Sequence, residues 1–226
     1  MLSKILVSGC GMSYSKQEKP SWVKVLKICG LNIVDVGGPA VSNEWILNSL
    51  INGIIKHKPT HVICQLTATG KLDIESNDER YKELVETDTL RNFTFKGVWP
   101  SSSSDDHKVK KDYYKWIYSK SIDVDNTAVK LFALSEACKK SNISLHIIQG
   151  YKIDWNNHHL LKLIDFDETF NMEKYYHQSE YYQYHDHVNQ NTVPCKQFMK
   201  HFVKKINKEF LQFYGLNEKL KKFQND

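Results

Sequence analysis

Ile5-Leu6-Val7-Ser8-Gly9-Cys10-Gly11-Met12-Ser13-Tyr14 is the stretch on which the fold turns. A short apolar run that breaks at a glycine-rich turn reads as a buried strand feeding a loop. The next segments repeat that grammar. Pro20 and Ser21 open a helix with Trp22, Val23, Val25, Leu26 and Ile28, which ends near Gly30. Asn32 to Val36 is a second strand, stopped by Gly37-Gly38-Pro39. Ser42 is a good N-cap for a helix whose apolar face carries Trp45, Ile46, Leu50, Ile51, Ile54 and Ile55. His61 to Leu66 is a third strand. Leu145 to Gln149 is a fourth, after a helix from about Thr127 to Lys140. Strands alternating with helices through tight turns give right-handed βαβ units in a parallel sheet. The expectation is an α/β fold: a three-layer α/β/α sandwich, flavodoxin-like, with four or five parallel strands in an order near 2-1-3-4.

Between the third and fourth strands lies an insertion at about 71–120, read as helical. It holds an acidic stretch around Asp78 to Val85, then Trp99-Pro100 and four serines, Ser101 to Ser104. A further helix carries Tyr113, Tyr114, Trp116 and Ile117. The final helix runs from about Pro194 to Tyr214, with Phe198, Phe202, Ile206 and Phe210 four apart on a core-facing stripe. No repeat and no linker divides the chain, so 1–226 reads as one domain.

Composition narrows the function classes. Of 226 residues, 41% are hydrophobic and 25% charged, which argues against disorder across the chain. The net charge of +5 gathers near the C-terminus, in Lys196, Lys200, Lys204, Lys205, Lys208, Lys219, Lys221 and Lys222. A solvated helix face accounts for that cluster, and a nucleic-acid contact is the sharper alternative. The five cysteines, Cys10, Cys29, Cys64, Cys138 and Cys195, are odd in number and form no CxxC, which argues for buried thiols in a reducing compartment. The apolar run before Gly9 is too short for a signal peptide, and no stretch reaches the roughly 20 apolar residues of a membrane span. The expectation is a cytoplasmic protein with no membrane partner.

Open α/β sheets bind ligands beyond the carboxyl ends of their strands. The polar residues there are Ser8 to Ser15, Gly37 to Asn43, and Thr67, Thr69 and Lys71, with His185-Asp186-His187-Val188-Asn189 ahead of the last helix. A hydroxyl nucleophile, small residues with approachable amides, hydroxyl or amide donors and a histidine base form the inventory for acyl transfer. Other assignments of the same residues are weaker. His185 and His187 alternate as metal ligands on a strand would, but no zinc signature accompanies them. The glycine pairs match neither phosphate-binding motif. Cys10 is an alternative nucleophile. Trp155, Tyr175, Tyr176, Tyr181, Tyr182 and Tyr184 form an aromatic group able to stack on sugars or to fill a core.

The order of these blocks resembles the SGNH (GDSL-like) hydrolases, in particular relatives whose first block is Gly-Cys-Ser-x-Thr. The first block matches Ser8-Gly9-Cys10-Gly11-Met12-Ser13, with Trp22 on the following helix. The second, a strand and turn leading to Ser-Asn, matches Val34 to Asn43. The third corresponds to Gln65-Leu66-Thr67-Ala68-Thr69, where threonines replace the family's Asn. The last, a His before a helix, corresponds to Asp186-His187-Val188-Asn189. The resemblance covers about the first seventy residues well and the last forty weakly. Aligned strictly, the nucleophile position falls on Gly11. The frame Gly11-Met12-Ser13-Tyr14-Ser15 restores a Gly-x-Ser-x-Ser pattern and gives that role to Ser13.

The resemblance implies a serine hydrolase acting on small-molecule or carbohydrate esters without a metal or cofactor. Ser13 would be the nucleophile, His187 the base (with His185 as alternative) and Asp186 the acid. Gly11, Gly38, Ala40, Asn43, Thr67 and Thr69 would form the oxyanion and substrate-binding set. A non-catalytic relative that binds a glycan or small ligand, and a nucleic-acid-associated protein using the basic C-terminal helix, are the two other readings.

Overall fold

A computed structural model describes residues 4–10, 21–38, 41–75, 95–98, 113–164, 166 and 172. Its centre is a parallel sheet built from β1 (Ile5–Ser8), β2 (Ile33–Asp35), β3 (His61–Leu66) and β6 (Ser144–Gln149), in the order β2-β1-β3-β6. That is the 2-1-3-4 order expected for the four strands. The register places Leu6 beside Val62 and Ile63 beside His146. The smaller pair, β4 (Leu72–Glu75) and β5 (Phe95–Val98), is antiparallel and separate from the main sheet.

The helices take both faces of the sheet. α1 (Trp22–Ile28) begins at Ser21, whose hydroxyl accepts from the Lys24 amide at 3.2 Å. α2 (Asn43–His57) begins at Ser42, whose hydroxyl accepts from the Trp45 amide at 3.1 Å. Glu44 in its first turn and Lys56 and His57 in its last complement the helix dipole. α3 (Lys120–Lys140) starts seven residues before the expected Thr127. Its N-cap, Ser119, makes no side-chain cap bond, so local sequence did not announce the start. Tertiary contact fixes it instead: Asp123 in the first turn accepts from the Gly70 amide at 2.6 Å, and Val124 is buried.

Strand alternation sorts the core. Leu6, Val62, Cys64 and Leu66 face α2 and α3, packing with Ile46, Leu50, Leu131 and Leu134. α2 lies so close to β1 that a Cβ on Gly53 would come within 2.8 Å of the Leu6 side chain. On the other face Trp22 of α1 reaches Gln65. The result is the three-layer α/β/α arrangement expected from the strand–helix alternation.

Cys10, Cys29, Cys64 and Cys138 are buried and form no disulfide among the described residues. Burial pushes the Cys138 thiol up to about 12, and burial with Cys138 nearby holds Cys64 well above its usual range. Thiols so held are poor nucleophiles. No described helix is long and apolar enough to cross a membrane.

Within the insertion at about 71–120, the described residues form the β4–β5 pair and a π-helical turn at Tyr113–Ile117. The strand pair was not anticipated. The acidic stretch, the serine run and the basic C-terminal helix lie outside the described residues.

Candidate functional site

The carboxyl ends of the four parallel strands are stitched to one another. Between β1 and β2, the Gly38 amide donates to the Gly9 carbonyl at 3.1 Å. A Cβ on Gly37 would sit 2.9 Å from both the nitrogen and the oxygen of Gly9, so only glycine lets these two backbones approach. The Gly37 amide is bound by the Asp35 carboxylate at 3.0 Å. Burial raises the pKa of Asp35, and the Gly37 bond and Lys27 work against that. Between β3 and β6, the Gly150 amide donates to the Leu66 carbonyl at 2.7 Å.

Between the start of α2 and the end of β3 stands a two-way clamp. Asn43 Oδ1 accepts from the Thr67 amide at 2.7 Å, and Asn43 Nδ2 donates to the Thr67 carbonyl at 3.1 Å. Both residues are buried. The Ser-Asn pair therefore has two structural jobs: Ser42 caps the helix and Asn43 holds the next strand end. The hydroxyl of Thr67 has no hydrogen-bond partner among the described residues, although Thr67 is 0% exposed.

A second polar relay runs under the turn that leaves β1. Trp22 Nε1 donates to Gln65 Oε1 at 2.7 Å, and Gln65 Nε2 donates to Cys10 Sγ at 3.5 Å. All three side chains are buried. Both ends of the Gln65 amide are thus used, which fixes its orientation. Gln65 was not singled out in the sequence. The signal was there: an uncharged polar residue inside an otherwise apolar strand, Val62-Ile63-Cys64-Gln65-Leu66.

The loop after β3 is held from its far side. Tyr114 donates its hydroxyl to the Gly70 carbonyl, and Asp123 takes the Gly70 amide. Tyr118 shares a hydrogen bond with the Thr69 side chain. Burial raises the pKa of both Tyr118 and Asp123, the hydrogen bonds from Thr69 and Gly70 oppose it, and Glu44 adds to the rise at Asp123. Trp155 is core rather than an open sugar platform. It is 2% exposed, donates Nε1 to Gln149 Oε1 at 3.2 Å and packs edge-on against Phe166.

Of the site residues expected from sequence, the structure joins Asn43 to Thr67, bonds Gly38 to Gly9 beyond β2, and places Thr69 on the loop after β3. Gly11, Ser13, Ala40, Asp186 and His187 lie outside the described residues. The Gly38 amide, the Asn43 side chain and the Thr69 hydroxyl are already engaged within the protein.

No protein-family model matches the chain. No curated protein matches it either. Among solved structures, the chain is similar to one described, provisionally, as a lipolytic protein of the G-D-S-L family from Desulfitobacterium hafniense DCB-2. That match has 11% identity and a TM-score of 0.37, and it covers 71% of this chain and 66% of the other.

Proposed function

We propose that the chain is an SGNH-type hydrolase of small-molecule or carbohydrate esters, working at the carboxyl edge of the β2-β1-β3 strands. Ser13 is the nucleophile, His187 the base, and Asp186 the acid that orients it. The observation that carries this reading is the anchoring of the turn that leaves β1. Cys10, three residues before Ser13, is bound by Gln65 of β3, and Gly9 is bound by Gly38 beyond β2. A segment so anchored at the edge where α/β sheets bind ligands is suited to presenting a nucleophile.

In the reaction, His187 takes the Ser13 proton as Ser13 Oγ attacks the ester carbonyl. Donors at the strand ends receive the oxyanion, and water then releases the acyl group. The test is turnover of short-chain p-nitrophenyl esters, compared with Ser13→Ala and His187→Ala. Activity in the parent chain and a fall of about 1,000-fold or more in each variant is the expected result. Full activity in Ser13→Ala would remove Ser13 from the mechanism.

A non-catalytic binding protein is the second reading. The observation that favours it is the internal use of the Gly38 amide and the Asn43 side chain, two groups expected to meet substrate. Folded chain that turns over no ester and takes up no fluorophosphonate, yet binds a short glycan by calorimetry, is the result it predicts.

A further inference from the structure

We propose that the turn Lys115-Trp116-Ile117, with Lys120 and Ile122 at the start of α3, is a docking surface for an anionic lipid membrane. Burial sorts this segment into two sets. Tyr114, Tyr118 and Asp123 hold the loop after β3, at the Gly70 carbonyl, the Thr69 side chain and the Gly70 amide. Trp116, Ile117 and Ile122 are turned out, with 72%, 71% and 59% of their surfaces exposed. The other described tryptophans, Trp22, Trp45 and Trp155, are buried. A tryptophan beside an isoleucine at such exposure adds little to the core, since most of its apolar surface stays in water.

Charge selects the partner. Lys115 Nζ stands 4.4 Å from the centroid of the Trp116 ring, so a cation and an aromatic face are presented together. Lys120 reaches Asp154 at 3.5 Å, an exposed pair that a lipid phosphate can displace. The acids that follow are engaged, Asp123 by the Gly70 amide at 2.6 Å and Asp125 by His158 at 3.3 Å. In the sequence, residues 108–122 carry Lys108, Lys110, Lys111, Lys115 and Lys120 against one acid, Asp112. Basic groups beside exposed Trp and Ile match the two layers of a lipid surface. The phosphates take the ammonium groups, and the indole and aliphatic side chains enter the boundary beneath them. A nucleic acid would use the lysines and stack on Trp116, but it would leave Ile117 and Ile122 in water. A second copy docked through the same patch would set like charges against one another.

Contact of this kind is peripheral and needs no spanning helix, and no described helix is one. Tyr114, Tyr118 and Asp123 fasten the surface to the loop that leaves the carboxyl end of β3. A membrane met here lies beside the edge at which open α/β sheets bind ligands. Docking is independent of the ester reaction and is read without turnover.

The test is co-sedimentation of the full chain with vesicles of phosphatidylcholine alone and with vesicles holding about one-third phosphatidylserine. Binding to the anionic vesicles at least about tenfold tighter, and weakened by added salt, is the expected result. Trp116→Ala with Ile117→Asn lowers it about tenfold or more, and Lys115→Gln with Lys120→Gln lowers it about three- to tenfold. The replaced side chains are exposed, so each Tm stays within about 3 °C of the parent. Brominated acyl chains quench tryptophan emission more in the parent than in Trp116→Phe. The C-terminal lysines remain in every variant. Attraction through them alone leaves binding equal in the parent and in the Trp116→Ala, Ile117→Asn chain, which overturns the assignment. Should that chain fail to fold, the quenching comparison decides, and equal quenching in the parent and Trp116→Phe overturns it. Folded parent that binds neither vesicle overturns it as well. So does uptake of single-stranded RNA, or a dimer lost in Trp116→Ala with Ile117→Asn, where the vesicles are left unbound.

Discussion

Gln65 shows what a single residue does for this site. It sits in β3 with no exposed surface and joins Trp22 of α1 to Cys10 of the β1 turn. Replacing it with Met keeps the volume and removes both bonds. Gln65→Met should lower unfolding free energy by about 1–3 kcal/mol and slow adduct formation at Ser13 by a larger factor than that loss alone explains. Chemical denaturation and stopped-time labelling read the two effects. Equal labelling in the variant would mean that the relay supports the core and not the turn. The roles of Asn43 and Gln65 were hard to read in the sequence for one physical reason. A buried polar side chain is defined by its partner, and both partners lie more than twenty residues away.

At the scale of elements, the four sheet strands were legible because each is a short apolar run closed by a turn signal. The bounds of β3 fall at the expected residues, His61 and Leu66. The α3 start was not legible, since Ser119 does not cap and the first turn is held by Gly70 from a distant loop. The β4–β5 pair carries the two-residue alternation of a strand in Leu72-Asp73-Ile74-Glu75, but four residues in a long insertion are weak signal on their own. The β1–β2 junction gives the element-scale prediction. A methyl on Gly37 meets main-chain atoms of Gly9 that have no rotamer to yield. Gly37→Ala should destabilise by about 1–3 kcal/mol and displace the turn that leads to Ser13. A thermal melt and the ester assay check it, and unchanged values in both would show that the two strand ends are not held as described.

At the scale of the whole molecule, α2 and α3 bury one sheet face, and the other carries a titratable pair. His61 and His146 stack with ring centroids 5.8 Å apart. Burial, with His61 adding, lowers the His146 pKa to about 4, and burial lowers His61 too. A folded pKa below the ordinary 6.5 means that the unfolded chain takes the proton more readily. The stability tied to a neutral His146 is therefore complete above about pH 6.5, declines as pH falls, and is gone below about pH 4. The difference is of order 3 kcal/mol. Melts across pH 7 to 4 should fall steeply, and His146→Leu should flatten the curve. An equally steep fall in that variant would assign the acid sensitivity elsewhere.

β1 ends at the edge where open α/β sheets bind ligands, and the proposed reaction begins with attack by Ser13 on an ester. Fluorophosphonate labelling followed by fragmentation of the tryptic peptide Ile5–Lys16 tests it most directly, because that peptide holds Ser8, Cys10, Ser13 and Ser15 together. One adduct is expected, on Ser13, lost in His187→Ala. An adduct on Cys10, or none on correctly folded chain, would contradict it.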